Sequence, residues 1–95
     1  MSAYIIGKVS ITDPETYKKY ADKTPALLEK HGGKFLVRGG EVETLEGQAF
    51  TDRVVVIEFP SQQALQDWYN DPDYQAAMVF RHAASDGQIL QVQGV

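Results

Sequence analysis

Val54–Tyr74, VVVIEFPSQQALQDWYNDPDY, decides the fold. Its first six residues give the strongest strand signal in the chain, a β-branched run interrupted by a single acid, Glu58. Pro60 stops the strand, because its ring removes a ladder donor. Ser61 then offers a side-chain oxygen to the free N–H groups of a helix predicted over residues 62–70. Asp71-Pro72 repeats the device, a capping acid before a residue preset for the first turn, and starts a further helix over residues 72–85.

Working outward, Ala3–Ile11 (AYIIGKVSI) reads as the first strand, and Asp13-Pro14 opens a helix on which Tyr17, Tyr20, Ala21, Thr24 and Leu28 share one face. Pro25 predicts a kink or restart at Thr24-Pro25, and His31-Gly32-Gly33 ends the helix. Lys34–Arg38 is the second strand. Gly39-Gly40 reads as a bulge bending a longer strand, because Glu41–Leu45 still alternates and Glu46-Gly47-Gln48 supplies a turn. The third strand is predicted over Thr51–Phe59, a turn at Asp86-Gly87, and the last strand over Gln88–Gln93. The order β-α-β-β-α(α)-β is that of a ferredoxin-like α+β sandwich: one domain over residues 1–95, with helices on one face of a four-stranded antiparallel sheet.

Composition narrows the function classes. A chain of 95 residues holds one core, and its 43% hydrophobic and 23% charged content is ordinary for a globular domain. The absence of Cys excludes a disulfide framework, thiolate zinc sites and thiol catalysis. A net charge of -4 with scattered basic residues argues against nucleic acid or an anionic membrane as partner. No apolar run approaches the length of a spanning helix, and the first residues lack a basic leader, so the expectation is a soluble, cytoplasmic protein. No histidine pair at metal spacing, paired acids or Gly-rich phosphate loop is present, and no metal or other cofactor is expected.

Period-two alternation divides the strands into two faces. Ile5, Val9, Phe35, Val37, Val55, Ile57, Phe59, Leu90 and Val92 form an apolar set expected under the helices. The other face mixes Tyr4, Ile6, Lys8, Leu36, Arg38, Val54, Val56, Glu58, Ile89, Gln91 and Gln93. Helices on one side leave that mixed face uncovered, and a facing sheet from a second copy is the economical cover, giving a homodimer.

Arg38 and Glu58 are the first chemical candidates. A hairpin centred near residues 47–49 sets them opposite or nearly so on the mixed face. The pair admits two readings: an ion pair that fixes register, or an anion fork with Glu58 as orienter or proton acceptor. Arg81 follows Tyr74 and Met78 on the last helix, beside an Ala76/Phe80/Ala83/Ala84 stripe, and reads as a snorkelling cation or an anion receptor. Trp68 and Tyr69 follow Ala64 and Leu65 at helical spacing, as core anchors or a pocket wall, and Tyr17, Tyr20 and Tyr74 pose the same choice. His31 reads as a helix C-terminal cap.

These blocks resemble a known family. TDPETYKKY, GGKFLVRGGEVETLEG, RVVVIEFPSQQALQDWYNDPDYQ, Arg81 and the closing strand, in this order, are similar to the small bacterial proteins of the domain of unknown function 1330 family, within the dimeric α/β-barrel group of ferredoxin-like folds. The resemblance covers nearly the whole chain. Its pattern carries over to Tyr20, Arg38, Glu58, Trp68, Tyr69, Tyr74 and Arg81, and implies a dimer of facing sheets with a pocket built from these residues. It implies no reaction. The leading expectation is a pocket near Arg38 and Glu58 that binds or transforms a small anionic, partly apolar molecule. The alternatives are a non-catalytic dimeric module, or a cofactor-independent oxygenase- or isomerase-like enzyme.

Overall fold

In the structure, a computed structural model describing all 95 residues, strands and helices follow in the order β1 (Ala3–Ile11), α1 (Pro14–Ala21), α2 (Thr24–Lys30), β2 (Lys34–Arg38), β3 (Arg53–Phe59), α3 (Gln62–Tyr69), α4 (Pro72–Ala84) and β4 (Ser85–Gln93). Side-chain caps set three of the helix starts. Asp13 accepts from Thr16 N at 3.3 Å, Ser61 Oγ from Ala64 N at 3.1 Å, and Asp71 from Asp73 N at 2.8 Å. Pro25, lacking an N–H, lies in the first turn of α2, and the restart expected there is a full break between α1 and α2.

Asp71 also ties two helices together. Its second carboxylate oxygen meets Lys30 Nζ and His31 Nε2, each at 2.8 Å, so the C-terminal end of α2 is fastened to the N-terminal end of α4. Hydrogen bonds from Lys30, then His31 and the Asp73 amide, hold the Asp71 carboxyl far below the usual carboxylate range.

The sheet order is β2-β3-β1-β4, all neighbours antiparallel. Its helix-side face carries Ala3, Ile5 and Val9, opposite Phe59, Ile57 and Arg53, and a core of 14 buried apolar side chains fills the space beneath the helices. The other face has no cover. The molecule is a slab 16 Å thick and 33 Å across, and its 6031 Å² of accessible surface exceeds the ~5,500 Å² expected for a monomer of this mass.

Four expectations are corrected. First, β2 stops at Arg38, and residues 39–52 form an irregular loop pinned where Thr44 Oγ1 accepts from Phe50 N and donates to Phe50 O. Val42 and Leu45 have opposite parity, so this stretch offers no continuous apolar face for a strand to bury. Second, the bulge lies between Phe35 and Val37, not at Gly39-Gly40; it turns Val37 outward with Val56 and Arg38 inward with Val55. Third, Ile89 pairs with Gly7 and packs against the core, which leaves Leu90 and Val92 outside at 40% and 41% exposure. Fourth, β4 begins at Ser85, directly after α4, because Asp86-Gly87 is drawn into the β1 ladder opposite Ser10 and Val9. A side chain at Gly87 would strike the Lys8 carbonyl, so only glycine lets the strands close there.

Candidate ligand-binding site

The inner-face parity of β3 runs from Phe59 through Ile57 and Val55 to Arg53, so a strand that is apolar for three inner positions ends by aiming a guanidinium beneath the helices. Gly39, at a φ of 69°, makes room: a side chain there would collide with the Arg53 guanidinium. On the opposite layer, α4 buries Tyr74, Ala77, Met78, Arg81 and Ala84, while Ala76 and Ala83 are exposed. The stripe expected at Ala76/Phe80/Ala83/Ala84 is thus rotated, and Arg81 lies on the core side at 8% exposure.

These side chains meet around one cavity between the helices and the sheet. Its volume is ≈ 30 Å³, and the unfilled space reaches ≈ 500 Å³ when the open mouth is included. Tyr17, Tyr20, Trp68 and Tyr74 supply aromatic walls, and Arg38, Arg53 and Arg81 supply charge. No carboxylate lines the cavity, and none of the three arginines has a carboxylate within ion-pair distance.

Aromatic rings carry the guanidinium groups instead. Arg38 Cζ lies 4.5 Å from the Phe35 ring centroid, Arg53 Cζ 5.7 Å from that of Tyr17, and Arg81 Cζ 5.6 Å from that of Tyr20. Such contacts neutralise no charge, and they leave N–H groups over. The Nε atoms of Arg53 and Arg81 and Nε1 of Trp68 are buried without an acceptor. A buried donor without a partner costs about 1–3 kcal/mol, so three of them on residues that line one cavity form a demand for an acceptor.

A fourth donor follows from the tyrosines. The hydroxyls of Tyr20 and Tyr74 are 2.9 Å apart, and burial raises the pKa of both, so both keep their protons. One proton fills the hydrogen bond between them, which leaves the other to be directed elsewhere. The walls therefore offer N–H and O–H donors, with no acid or imidazole to take up a proton.

Tyr20, Trp68, Tyr74, Arg38 and Arg81 line this cavity; Glu58 and Tyr69 do not. Arg38 sits at the exposed rim, where Nη2 donates to the Ala21 carbonyl at 3.1 Å and bridges β2 to the end of α1. Glu58 faces Lys34, four residues before Arg38, because the long loop replaces the tight hairpin that would have set Arg38 against it. The expected Arg38–Glu58 pair is absent, and Glu58 lies on the outer face. It accepts from Tyr4 Oη at 3.0 Å and meets Lys34 Nζ at 3.3 Å. Those two contacts, Tyr4 first, hold its carboxyl below the ordinary range, which weakens it as a base. Tyr69 is 36% exposed, its hydroxyl 3.8 Å from Met78 Sδ, and it borders shallow surface grooves. Arg53 is the functional candidate the sequence reading passed over, although it continues the parity of Val55, Ile57 and Phe59.

Elsewhere, no cluster of three or more His, Cys, Asp or Glu side chains is placed to hold a metal ion. No helix is long and apolar enough to cross a membrane.

Helices on one side of a β2-β3-β1-β4 antiparallel sheet, with a cationic, aromatic-walled cavity between the layers, define a ferredoxin-like α+β protein. The chain belongs to the family described as Domain of unknown function (DUF1330), which matches residues 2–95. No curated protein matches it. Among solved structures it is similar to RPA0582, a protein of unknown function from Rhodopseudomonas palustris, at 23% identity and a TM-score of 0.84, over 99% of this chain and 82% of that one. It is also similar to SnoaB, a cofactor-independent oxygenase from Streptomyces nogalater, at 13% identity and a TM-score of 0.66, over 99% and 93% of the two chains. A dimeric ferredoxin-like protein of unknown function from Jannaschia sp. CCS1 is similar at 11% identity and a TM-score of 0.67, over 99% and 100%. Identities this low show a common fold.

Proposed function

We propose that the cavity binds a small anionic molecule with an apolar part, and that two copies of the chain associate through their outer sheet faces. The observation that carries the binding reading is the set of buried, acceptor-less N–H groups on Arg53, Arg81 and Trp68, around a cavity without a carboxylate. Buried cations are ordinarily paired, so an anion is the partner this arrangement is built to receive. The walls supply charge neutralisation and orientation; a reaction that needs a base would have to draw it from the ligand. The oxygenase activity of SnoaB is that protein's own.

Association is supported by the apolar outer face, where Ile6, Val54 and Val56 are half-buried and Val37, Leu90 and Val92 exposed, and by the dimeric Jannaschia protein of the same fold. A stable interface removes ~800 Å² per partner, which a sheet face of this slab can supply.

Trp68, the only tryptophan, lines the cavity and serves as reporter. Titration with small carboxylates should change its fluorescence saturably, the neutral amides of the same acids should not, and Arg53→Met and Arg81→Met should each weaken the response. Binding of amides equal to that of acids, or full binding by both variants, would overturn the reading.

A further inference from the structure

Gly7 sits midway along β1, one of the two central strands of the sheet, on the helix-side face between buried Ile5 and Val9. Glycine at an inner strand position forfeits packing and chain entropy, and its physical use there is to let something approach the backbone closely. The atoms nearest to a Cβ placed on Gly7 all belong to its cross-strand neighbours: Ile89 Cδ1 at 3.2 Å, Val55 Cβ at 3.8 Å and Val55 O at 3.9 Å. No atom of the helix layer comes that near. The missing side chain therefore leaves a shallow slot in the sheet side of the cavity, bounded by Val55 and narrowed by Ile89, in the same cavity that Arg53 and Arg81 line.

The slot is thin, since Ile89 Cδ1 already stands 3.2 Å from the place a methyl group on Gly7 would take. A flat group fits such a gap better than a tetrahedral or chair-shaped one. The tyrosine rings and Trp68 on the same cavity favour a π-face or ring edge over a bare chain. Gly7 pairs with Val55 and the next inner position of β3 is Arg53, so slot and donor are neighbours on one face. A carboxylate attached to an aromatic ring is coplanar with it and is the shape suited to span both, whereas a tetrahedral phosphate would need width that the slot lacks.

Building on the anion-binding reading above, we propose that the ligand is a small aryl carboxylate, its ring over Gly7 and its carboxylate on the Arg53 and Arg81 N–H groups, and that Gly7 sets the size the cavity accepts.

Calorimetric titration of the full chain with benzoate, cyclohexanecarboxylate and acetate tests this, alongside Gly7→Ala and Ile89→Ala, with circular dichroism as the check on folding. The native chain should bind benzoate more tightly than either other acid. Gly7→Ala should weaken benzoate by about tenfold or more, as overfilling a tight site does, and leave acetate within about twofold. Ile89→Ala, which widens the slot, should shift preference toward 2-naphthoate, and this arm decides the matter if Gly7→Ala fails to fold. Cyclohexanecarboxylate binding as well as benzoate would overturn the aryl assignment. Equal weakening of benzoate and acetate by Gly7→Ala, or no gain for 2-naphthoate in Ile89→Ala, would overturn the role of Gly7. If the native chain binds none of the acids, the anion-binding reading falls as well.

Discussion

Replacing Arg81 with Met separates a binding group from a structural one, because the two roles predict very different sizes of stability change. Met nearly matches the length of the arginine stem and keeps the apolar contacts of α4, while removing a buried charge with no carboxylate partner and a buried Nε with no acceptor. Relief of the orphan donor returns about 1–3 kcal/mol. Loss of the stacking on Tyr20, at 5.6 Å, takes back ~0.5–2 kcal/mol. With the hydrogen-bonding contact to Tyr74 also lost, the two terms nearly offset, within ~1 kcal/mol of zero, and in a domain of this size 1 kcal/mol moves Tm by about 4–8 °C. Calorimetric melting without ligand should therefore show Arg81→Met melting within about 8 °C of the native chain, while carboxylates that raise the native Tm leave the variant unmoved. A ligand at 100 times its Kd should add ~2.7 kcal/mol to the native chain alone. If Arg81→Met instead melts well below the native chain, by the ~3–5 kcal/mol typical of breaking a buried pair, then Arg81 holds the fold and the reasoning fails.

Glu58→Gln should leave carboxylate binding unchanged by Trp68 fluorescence, and it should lower stability slightly through loss of the Tyr4 and Lys34 contacts. A large loss of binding would return Glu58 to the site. Asp71 has a folded-state pKa depressed below its unfolded value, so its contribution is present above the unfolded pKa and lost as pH falls through the folded one. The Tm difference between the native chain and Asp71→Asn should thus be full near neutrality and shrink below about pH 4. Val56→Arg, a charge at the middle of the outer face, should convert a dimer to a monomer by light scattering without altering the fold; a native chain that is monomeric at micromolar concentration would refute the interface.

Most of the fold was legible because it is written locally. Asp13, Ser61 and Asp71 cap helices through bonds to amides two or three residues on, and Pro60 and Pro25 break elements where they stand. Register was not legible, because it depends on partners far along the chain. The bulge between Phe35 and Val37 exchanges the faces of Val37 and Arg38, and nothing in KFLVR marks which residue is extra. The Ile89-Leu90 pair offers one apolar residue to each face, and only the ladder with Gly7 decides between them. Tyr20, Trp68, Tyr74 and Arg81 were reachable from helical spacing, though the rotation of the buried stripe on α4 was set by the sheet beneath it. Arg53 was within reach of the parity rule itself, one step beyond Val55.

Charge is also divided by face, and this has a measurable consequence. The chain carries -4 overall, yet its cavity holds three arginines and no acid. Glu58, set between the inner residues Ile57 and Phe59 of β3, is turned outward, where it joins Tyr4 of β1 and Lys34 of β2. An approaching carboxylate therefore meets a repulsive field at long range and an attractive one only near the mouth. Salt screens the first over a Debye length of about 8 Å at physiological strength and reaches the buried Arg81 and half-buried Arg53 far less. Raising ionic strength from 10 mM to 500 mM should thus leave carboxylate affinity nearly level, or raise it slightly through a faster on-rate, where a surface lysine patch would lose its ligand. Stopped-flow measurement of Trp68 fluorescence gives both rates. A steep fall of affinity with salt would mean that the anion is held by exposed charges rather than by Arg53 and Arg81.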